Sequence, residues 1–280
     1  MFRKHQRTIQ LKSPADIDAM RAAGLVVGRT LEALRAAVVP GVTTGDLDRL
    51  AEDSIRSAGG VPSFKGYQPH PSVPAFPASI CASVNDEVVH GIPGGRVLRD
   101  GDLISLDCGA VLAGWHGDAA ITVAVGAVPD EAHALVQATE DAMWAGLAAV
   151  RAGGRLTDIG HAVEAQVRSA GTYGIVEDYG GHGIGTEMHQ EPHILNYGRP
   201  GRGPRLVAGM VLAIEPMLTL GAPQTRELDD EWTVATTDGS LAAHVEHTVA
   251  LTAGGPWVLT ALDGGRGRLS ALGVTVPAEA

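Results

Sequence analysis

The sequence predicts an α+β fold: two pseudo-symmetric helix–helix–strand halves, about residues 13–126 and 127–252, around a central, mostly antiparallel sheet. Two observations predict it. "GVTTGDLDRLAEDSIRSAG" from Gly41 and "GGRLTDIGHAVEAQVRSAG" from Gly153 align without a gap, sharing the leading Gly, Asp46/Asp158, Glu52/Glu164 and the closing "RSAG". Each is preceded by another apolar helical stretch and followed by apolar strands, so the chain reads as a duplicated unit with a natural place for a site between the copies. Helix and strand patterns also recur along the whole length between glycine- and proline-rich segments, as a mixed antiparallel fold requires.

The elements follow in order. Residues 1–12 read as an N-terminal tail. "SPADIDAMRAAGLVVGRTLEALRAAVVPG" is a helix: Ser13 caps it, Pro14 takes the first turn, Asp16 completes a capping-box pattern and Pro40-Gly41 stops it. A second helix follows Thr44 and ends at Gly59. Strands are expected at 79–84, 102–112 and 117–126, then helices at about 130–150 and about 158–170. The second half supplies strands at 209–220, 232–237 and 243–252. A single domain spans 13–265, and 266–280 read as a C-terminal tail.

At 280 residues the chain has the length for one large domain and a substantial core. A net charge of −11 argues against a general nucleic-acid or acidic-membrane binder, and the basic tip "FRKHQR" and loop "GRPGRGPR" read as solvated surface. Two cysteines, Cys81 and Cys108, imply no disulfide framework and suit a reducing cytosol. The N-terminus lacks an apolar core of the signal-peptide kind, and no run reaches the ~18 apolar residues of a membrane span. A cytoplasmic protein is expected.

Four carboxylates stand out. Asp107 ends "LISLD", Asp118 opens "DAAITVAV", Glu215 sits inside "MVLAIEPML" and Glu246 inside "HVEHTVAL". Each lies in or beside a strand apolar enough to be buried, and an unpaired buried carboxylate must be neutralised, paired or metal-bound. None of these segments contains Lys or Arg, so a cation is the economical partner. Asp107 and Asp118 also straddle a glycine-containing turn, and a hairpin would bring them side by side. Four carboxylates over-neutralise one divalent ion but suit two. Oxygen donors with one or two imidazoles fit Mn, Fe, Co or Zn. Two such ions generate a hydroxide at neutral pH, which is hydrolase chemistry. "GHGIGTEMHQEPH" adds His182, His189 and His193. Pro192 makes a helical pair of His189 and His193 a poor reading, and His193 receives no catalytic role.

These residues resemble type I methionine aminopeptidases over nearly the full chain, in "SPADIDAMRAAG", "PGVTTGDLDRLAE", "NDEVVHGIPG", "GDLISLDCGA", "GWHGDAAIT", "GGHGIGTEMHQEPHI", "GMVLAIEPML" and "DEWTVATTDGSLAAHVEHTV". The ordered set Asp107, Asp118, His182, Glu215 and Glu246, spaced by 11, 64, 33 and 31 residues, is highly specific to that family. The absence of a long insertion between His182 and Glu246 matches its bacterial type. The resemblance implies the pita-bread fold and two divalent ions (Co, Mn, Fe or Zn). Asp107 would chelate one ion, Asp118 and Glu246 would bridge both, and His182 and Glu215 would complete the other. It implies removal of the initiator methionine from nascent chains whose second residue is small, through a hydroxide bridging the ions.

In that mechanism Glu215 assists proton movement. His189 hydrogen-bonds the scissile carbonyl oxygen as charge develops, and His90 steadies the amide nitrogen side. The methionine pocket matches Tyr67, Phe76, Cys81, Met188 and Trp232, with Cys81 a wall rather than a nucleophile. "YQPHPSVPAFPAS" is longer and more proline-rich than the family's usual pocket segment, and Met188 stands where relatives often have Phe. The implied partners are nascent polypeptide N-termini with transient ribosome contact, no membrane and no specific nucleic acid, for a monomer. Two alternatives remain open: a proline-directed peptidase of the same fold, aminopeptidase P or prolidase, and a catalytically inactive pita-bread binding module.

Overall fold

The computed structural model describes residues 8–277, so the basic tip at 2–7 lies outside the described residues. The helices are α1 (Pro14–Ala37), α2 (Thr44–Ser57), α3 (Asp130–Ala148), α4 (Leu156–Ala170) and a short α5 (Arg266–Ala271). The aligned aspartates do the same job in both halves. The Thr43 amide donates to the Asp46 carboxylate at 3.0 Å, and the Arg155 amide donates to Asp158 at 2.7 Å. Each carboxylate thereby satisfies an amide at a helix start that has no intrahelical partner. Ser13 and Asp16 cap α1 in the same way, at 2.9 Å.

Every strand pairing among the described residues is antiparallel. The main sheet runs Val61–Pro62, Leu103–Leu112, Trp115–Ala124, Glu246–Thr252, Val211–Ile214, Gly181–Gly183, Gln190–Ile194; Ile80–Val84 joins Leu103–Leu112 and Gly255–Val258 joins Glu246–Thr252. Two three-stranded sheets flank it. One orders Ala242–His244, Met217–Thr219 and Gly174–Ile175; the other orders Thr225–Glu227, Val234–Thr236 and Glu87–Val89. The central hairpin turns at Ala113-Gly114, both at positive φ as a tight two-residue turn demands, so its second strand starts at Trp115 rather than 117.

Period-two alternation sorts the sheet into a helix face and a site face. Ile104, Leu106, Cys108 and Ala110 join Val27, Leu31, Leu34, Leu47 and Ile55 in the core under α1 and α2. Asp107 therefore points to the opposite face, as does Cys81, its register partner. α3 and α4 cover the second half through Leu135, Leu147, Ile159, Val163 and Ile214.

The two long strands expected at 209–220 and 243–252 are each broken in two. Pro216 lacks the amide a ladder needs, so the chain leaves the main sheet at Ile214 and re-pairs as Met217–Thr219. Its neighbour makes the same transfer across Val245, between Ala242–His244 and Glu246–Thr252. The strand expected at 232–237 shortens to Val234–Thr236.

The chain ends are also more committed than tails. The Lys12 amide donates to Gly209 O at 2.8 Å, and Ile9 packs on the second-half core. At the other end α5 buries Leu269 completely in that core, with Val274 and Val276 packed on it, so 266–276 belong to the domain. Among the described residues no helix is long and apolar enough to cross a membrane.

Gly24 and Gly28 lie on one face of α1, and the segment 258–262 lies against them. A Cβ on Gly24 would fall on the carbonyl of Leu259, and one on Gly28 on the carbonyl of Thr260. The Arg21 guanidinium donates to Leu259 O at 2.7 Å and Leu262 O at 3.0 Å, fastening the same contact. Backbone cannot yield as a side chain can, so Gly24→Ala is expected to destabilise by about 1–3 kcal/mol despite its gain in helix propensity. Chemical denaturation measures this; a stabilised variant would show that the contact is loose.

Candidate metal centre and substrate cavity

The site occupies the seam where the two broken strands pass from one sheet to the next. Asp107, Ala120 and Glu246 form a row across three neighbouring strands, because Asp107 pairs with Ala120 and Ala120 with Glu246. The methyl of Ala120 leaves room for the carboxylates on either side to converge. Asp118 pairs with Gly109, one step along the same face. Glu215 follows Ile214, whose partner is His247, and so meets Glu246 from the next strand. His182 pairs with Ala213, on the strand beyond. The hairpin thus brings Asp107 and Asp118 together as the glycine-containing turn suggests.

Asp118, His182, Glu215 and Glu246 are all buried. Asp107 Oδ1, Asp118 Oδ1 and Glu246 Oε1 are buried with no hydrogen-bond partner. Burial pushes the Asp107 carboxyl up to about 7 and that of Glu215 up to about 8. Burial, reinforced by mutual repulsion, raises Asp118 and Glu246 well above the usual carboxylate range. His182 goes the other way: burial lowers it to about 3 and keeps the ring neutral. Its Nδ1 lies 3.0 Å from Gly183 O, so Nδ1 carries the proton and Nε2 presents a lone pair, 3.5 Å from Glu215 Oε1. Donor atoms of Asp118, His182 and Glu246 lie within 4.8 Å of one another, as do those of Glu215, His244 and Glu246. Unpartnered oxygens, a neutral imidazole and no adjacent cation fit a metal centre.

A cavity of about 450 Å³ opens onto this cluster, and every site residue expected from the sequence lines it. Phe64, Phe76, Ala78, Cys81 and Met188 form a separate apolar cluster there, with Tyr67, Ile92 and Trp232 packed on it. Phe76 meets Trp232 edge-on at 5.1 Å, and the Trp232 indole N–H donates to Pro74 O at 2.9 Å. Burial, with Asp107 alongside, raises the Cys81 thiol, which leaves it a wall and not a thiolate. The proline-rich excursion is closed at its base: the Gly66 amide donates to Phe76 O and the Phe76 amide to Tyr67 O, both at 2.8 Å.

The histidines divide as follows. His189 Nδ1 lies 3.0 Å from the Tyr67 hydroxyl, and its ring stands edge-on to that of His182 at 4.5 Å. His90 sits at φ 61°, wedged between Tyr179 and Trp232, and burial lowers it to about 4. Gly91 follows because a Cβ there would meet the Ala82 carbonyl. His193 lies in the strand Gln190–Ile194 and is exposed at the cavity edge. Sequence reasoning missed Phe64 and Tyr179 in the lining, and His244 in the cluster. His244 stands two residues before Glu246, but the ladder breaks between them, so alternation along one strand does not carry from Glu246 to His244.

The basic loop at 198–205 is pinned over the start of α4. The Gly201 amide donates to Asp158 at 2.7 Å and the Gly198 amide to Glu164 at 2.9 Å.

The comparisons with known proteins agree with this geometry. The model of metallopeptidase family M24 matches residues 18–253. A methionine aminopeptidase 1 of Mycobacterium tuberculosis is 56% identical over 261 residues, covering 91% of this chain and 96% of that protein. The crystal structure of a methionine aminopeptidase from Thermotoga maritima superposes with a TM-score of 0.87 at 39% identity, covering 91% of this chain and 100% of the other. A prolidase from Pyrococcus furiosus shares the fold at a TM-score of 0.70 and 19% identity, covering 89% of this chain and 65% of its own. The pita-bread architecture is common to all of these.

The raised carboxyls give a pH signature in the ion-free protein. Asp107 and Glu215 titrate near 4 when unfolded and at about 7 and about 8 when folded, so the folded state holds the extra protons and loses stability as pH rises through those values. Buried neutral histidines act oppositely, but only below their unfolded value of about 6.5. After chelation, the denaturant midpoint should therefore fall between pH 7 and 8.5, and a divalent ion should restore it. A midpoint that rises over that range would contradict the buried-carboxyl account.

Proposed function

This chain belongs to metallopeptidase family M24, and on that footing we propose that it removes N-terminal methionine from polypeptides using two divalent ions. It is a methionyl aminopeptidase of the bacterial type by its relatives. The observation that carries the reading is the junction, in one cavity, of a thioether-sized apolar wall with a cluster of buried carboxylates and imidazoles. Asp107, Asp118, His182, Glu215 and Glu246 would hold the ions, with Co, Mn, Fe and Zn all suited to that donor set. When bound, the ions supply an activated water and polarise the scissile carbonyl.

The remaining steps belong to the chain's own residues. Tyr67, Phe76, Cys81, Met188 and Trp232 enclose the methionine side chain and exclude water from it. The Tyr67 hydroxyl donates to His189 Nδ1, which holds the tautomer with its proton on Nε2. Nε2–H then donates to the carbonyl oxygen as negative charge develops. Burial lowers His189, so the ring acts as a neutral donor. His90 steadies the amide nitrogen, and Glu215 passes a proton towards the departing amine. With His90 wedged between Tyr179 and Trp232, a small second residue fits best beyond the scissile bond. The substrates are nascent N-termini in the cytosol, met by a monomer in transient contact with the ribosome.

Peptide cleavage across a metal series after chelation tests the reading. Met-Ala-Ser is expected to be cleaved, Xaa-Pro peptides to be spared, and His182→Ala to stay folded without turnover. Preferential Xaa-Pro cleavage would point to the proline-directed branch, and no ion-dependent turnover would point to an inactive binding module.

The tautomer argument gives a graded expectation. His189→Ala should lower kcat by ~10²–10³, as loss of an oxyanion donor does elsewhere. Tyr67→Phe keeps the pocket wall and should lower kcat by a smaller factor, with KM nearly unchanged. A Tyr67→Phe effect confined to KM would make Tyr67 a wall only.

A further inference from the structure

We propose that Lys12 is a positioning residue for His189: with Gln10 and Gln190 it clasps the loop 184–189 and fixes where that imidazole stands. The proposal rests on the role given to His189 above and names what holds it there.

The loop needs a hold from outside. Residues 184–189 join the strands Gly181–Gly183 and Gln190–Ile194 without forming helix or strand themselves. They carry two residues of the cavity lining, Met188 and His189. Backbone bonds reach the loop at its start, where the Ile184 amide donates to Val211 O at 3.2 Å and Gly185 O accepts from the His116 amide at 2.9 Å. Thr186 and Glu187 beyond them are exposed. Such a loop opens locally at little cost unless its far end is also held. Catalysis tolerates little of this, since a misplacement of about 1 Å costs on the order of 10²-fold in rate.

The N-terminal segment supplies that hold through a lysine turned inward. Leu11 is 55% exposed and the next residue, Lys12, only 5%, the reverse of their hydrophobicity. The Lys12 ammonium donates to two neutral oxygens, Gln190 Oε1 at 2.9 Å and the Gln10 carbonyl at 3.2 Å. The Gln190 amide in turn donates to Gln10 Oε1 at 2.9 Å, which closes the circuit. The Lys12 stem also lies on the loop's first turn, because a Cβ on Gly185 would meet Lys12 Cε at 2.6 Å. Lys12 therefore touches both ends of the loop at once.

Packing alone does not account for a lysine here. Burial lowers the ammonium to about 8, against the opposing influence of Asp16, so the charge is kept at a cost. A methionine would fill the same space without that cost. What the ammonium adds is a fixed Gln190 side chain, on the residue joined directly to His189. The clasp is itself anchored, since the Lys12 amide donates to Gly209 O at 2.8 Å. Two contacts thus divide one task. The Tyr67 hydroxyl, 3.0 Å from His189 Nδ1, sets the tautomer, and the clasp sets the place of the backbone that carries the ring.

Lys12→Met, which keeps the stem and removes the charge, tests this in the full chain with its ions. For Met-Ala-Ser, kcat is expected to fall about 10-fold with KM nearly unchanged, because His189 acts on charge that develops in the transition state. The same change in a His189→Ala background should cost nothing further, since a contact that works through one residue does not add to its loss. Gln190→Met should reproduce the Lys12→Met effect, and serves for both readouts if Lys12→Met does not fold. In the ion-free protein the NMR signal of the His189 imidazole, assigned by its loss in His189→Ala, should shift in Lys12→Met. An unchanged kcat in Lys12→Met, an equal fall in both backgrounds, or an unmoved His189 signal would overturn the proposal. A wild-type protein without ion-dependent turnover, whose His189 signal still shifts in Lys12→Met, would instead sink the peptidase reading and leave the clasp standing.

Discussion

Four carboxylates and two imidazoles are buried together in this protein without a lysine or arginine among them, and the arrangement of the second half follows from that. Their mutual repulsion and desolvation oppose folding whenever they are ionised, so the surrounding structure has to hold them against a force driving them apart. It does so with three adjacent antiparallel strands whose hydrogen-bond ladders set the lateral spacing and whose pleat sends Asp107, Asp118 and Glu246 to one face, with Glu215 entering from the end of the next strand. Ala120 between Asp107 and Glu246 and the Ser105–Thr122 hydroxyl pair beneath His244 belong to the same scaffold. The centre is consequently an unstable arrangement made tolerable by a stiff frame, and a divalent cation turns its largest electrostatic cost into its main attraction.

The frame itself comes from repetition. Each half contributes two helices and part of the sheet, and each second helix starts on the same aspartate-to-amide contact. A pseudo-symmetric pair of sheets must meet along a line, and the strands that cross it have to break their ladders. Pro216 and Val245 are those breaks, and the carboxylates beside them, Glu215 and Glu246, line the cavity. Function sits where secondary structure is interrupted because an uninterrupted ladder offers no inward corner.

Much of this was legible in the chain. Capping patterns placed the helices to within a few residues, the aligned stretches gave the two halves, and the charge-free apolar context of four acids pointed to a cation. What stayed hidden depends on contacts distant in sequence. The strands at 209–220 and 243–252 carry continuous apolar patterns, so their division was invisible until pairing partners were known. His244 was passed over because it lies in a short strand whose register only Met217 reveals. The C-terminal helix escaped because its one buried anchor, Leu269, offers no periodicity, and α1's glycines made sense only once residues 258–262 lay against them.

The proline-rich rim around Pro69 and Pro74 is tied off at Gly66, Tyr67 and Phe76, so the excursion between them hangs from two backbone bonds and rests on Trp232. It shares no ladder with the strands that carry the acids. Lengthening or re-sequencing it therefore redraws the entrance while the ion-binding chemistry stays in register. The shape of the entrance and the buried acid cluster are in this respect separately heritable, and an engineer could graft the segment between Gln68 and Ala75 from one relative onto the centre of another.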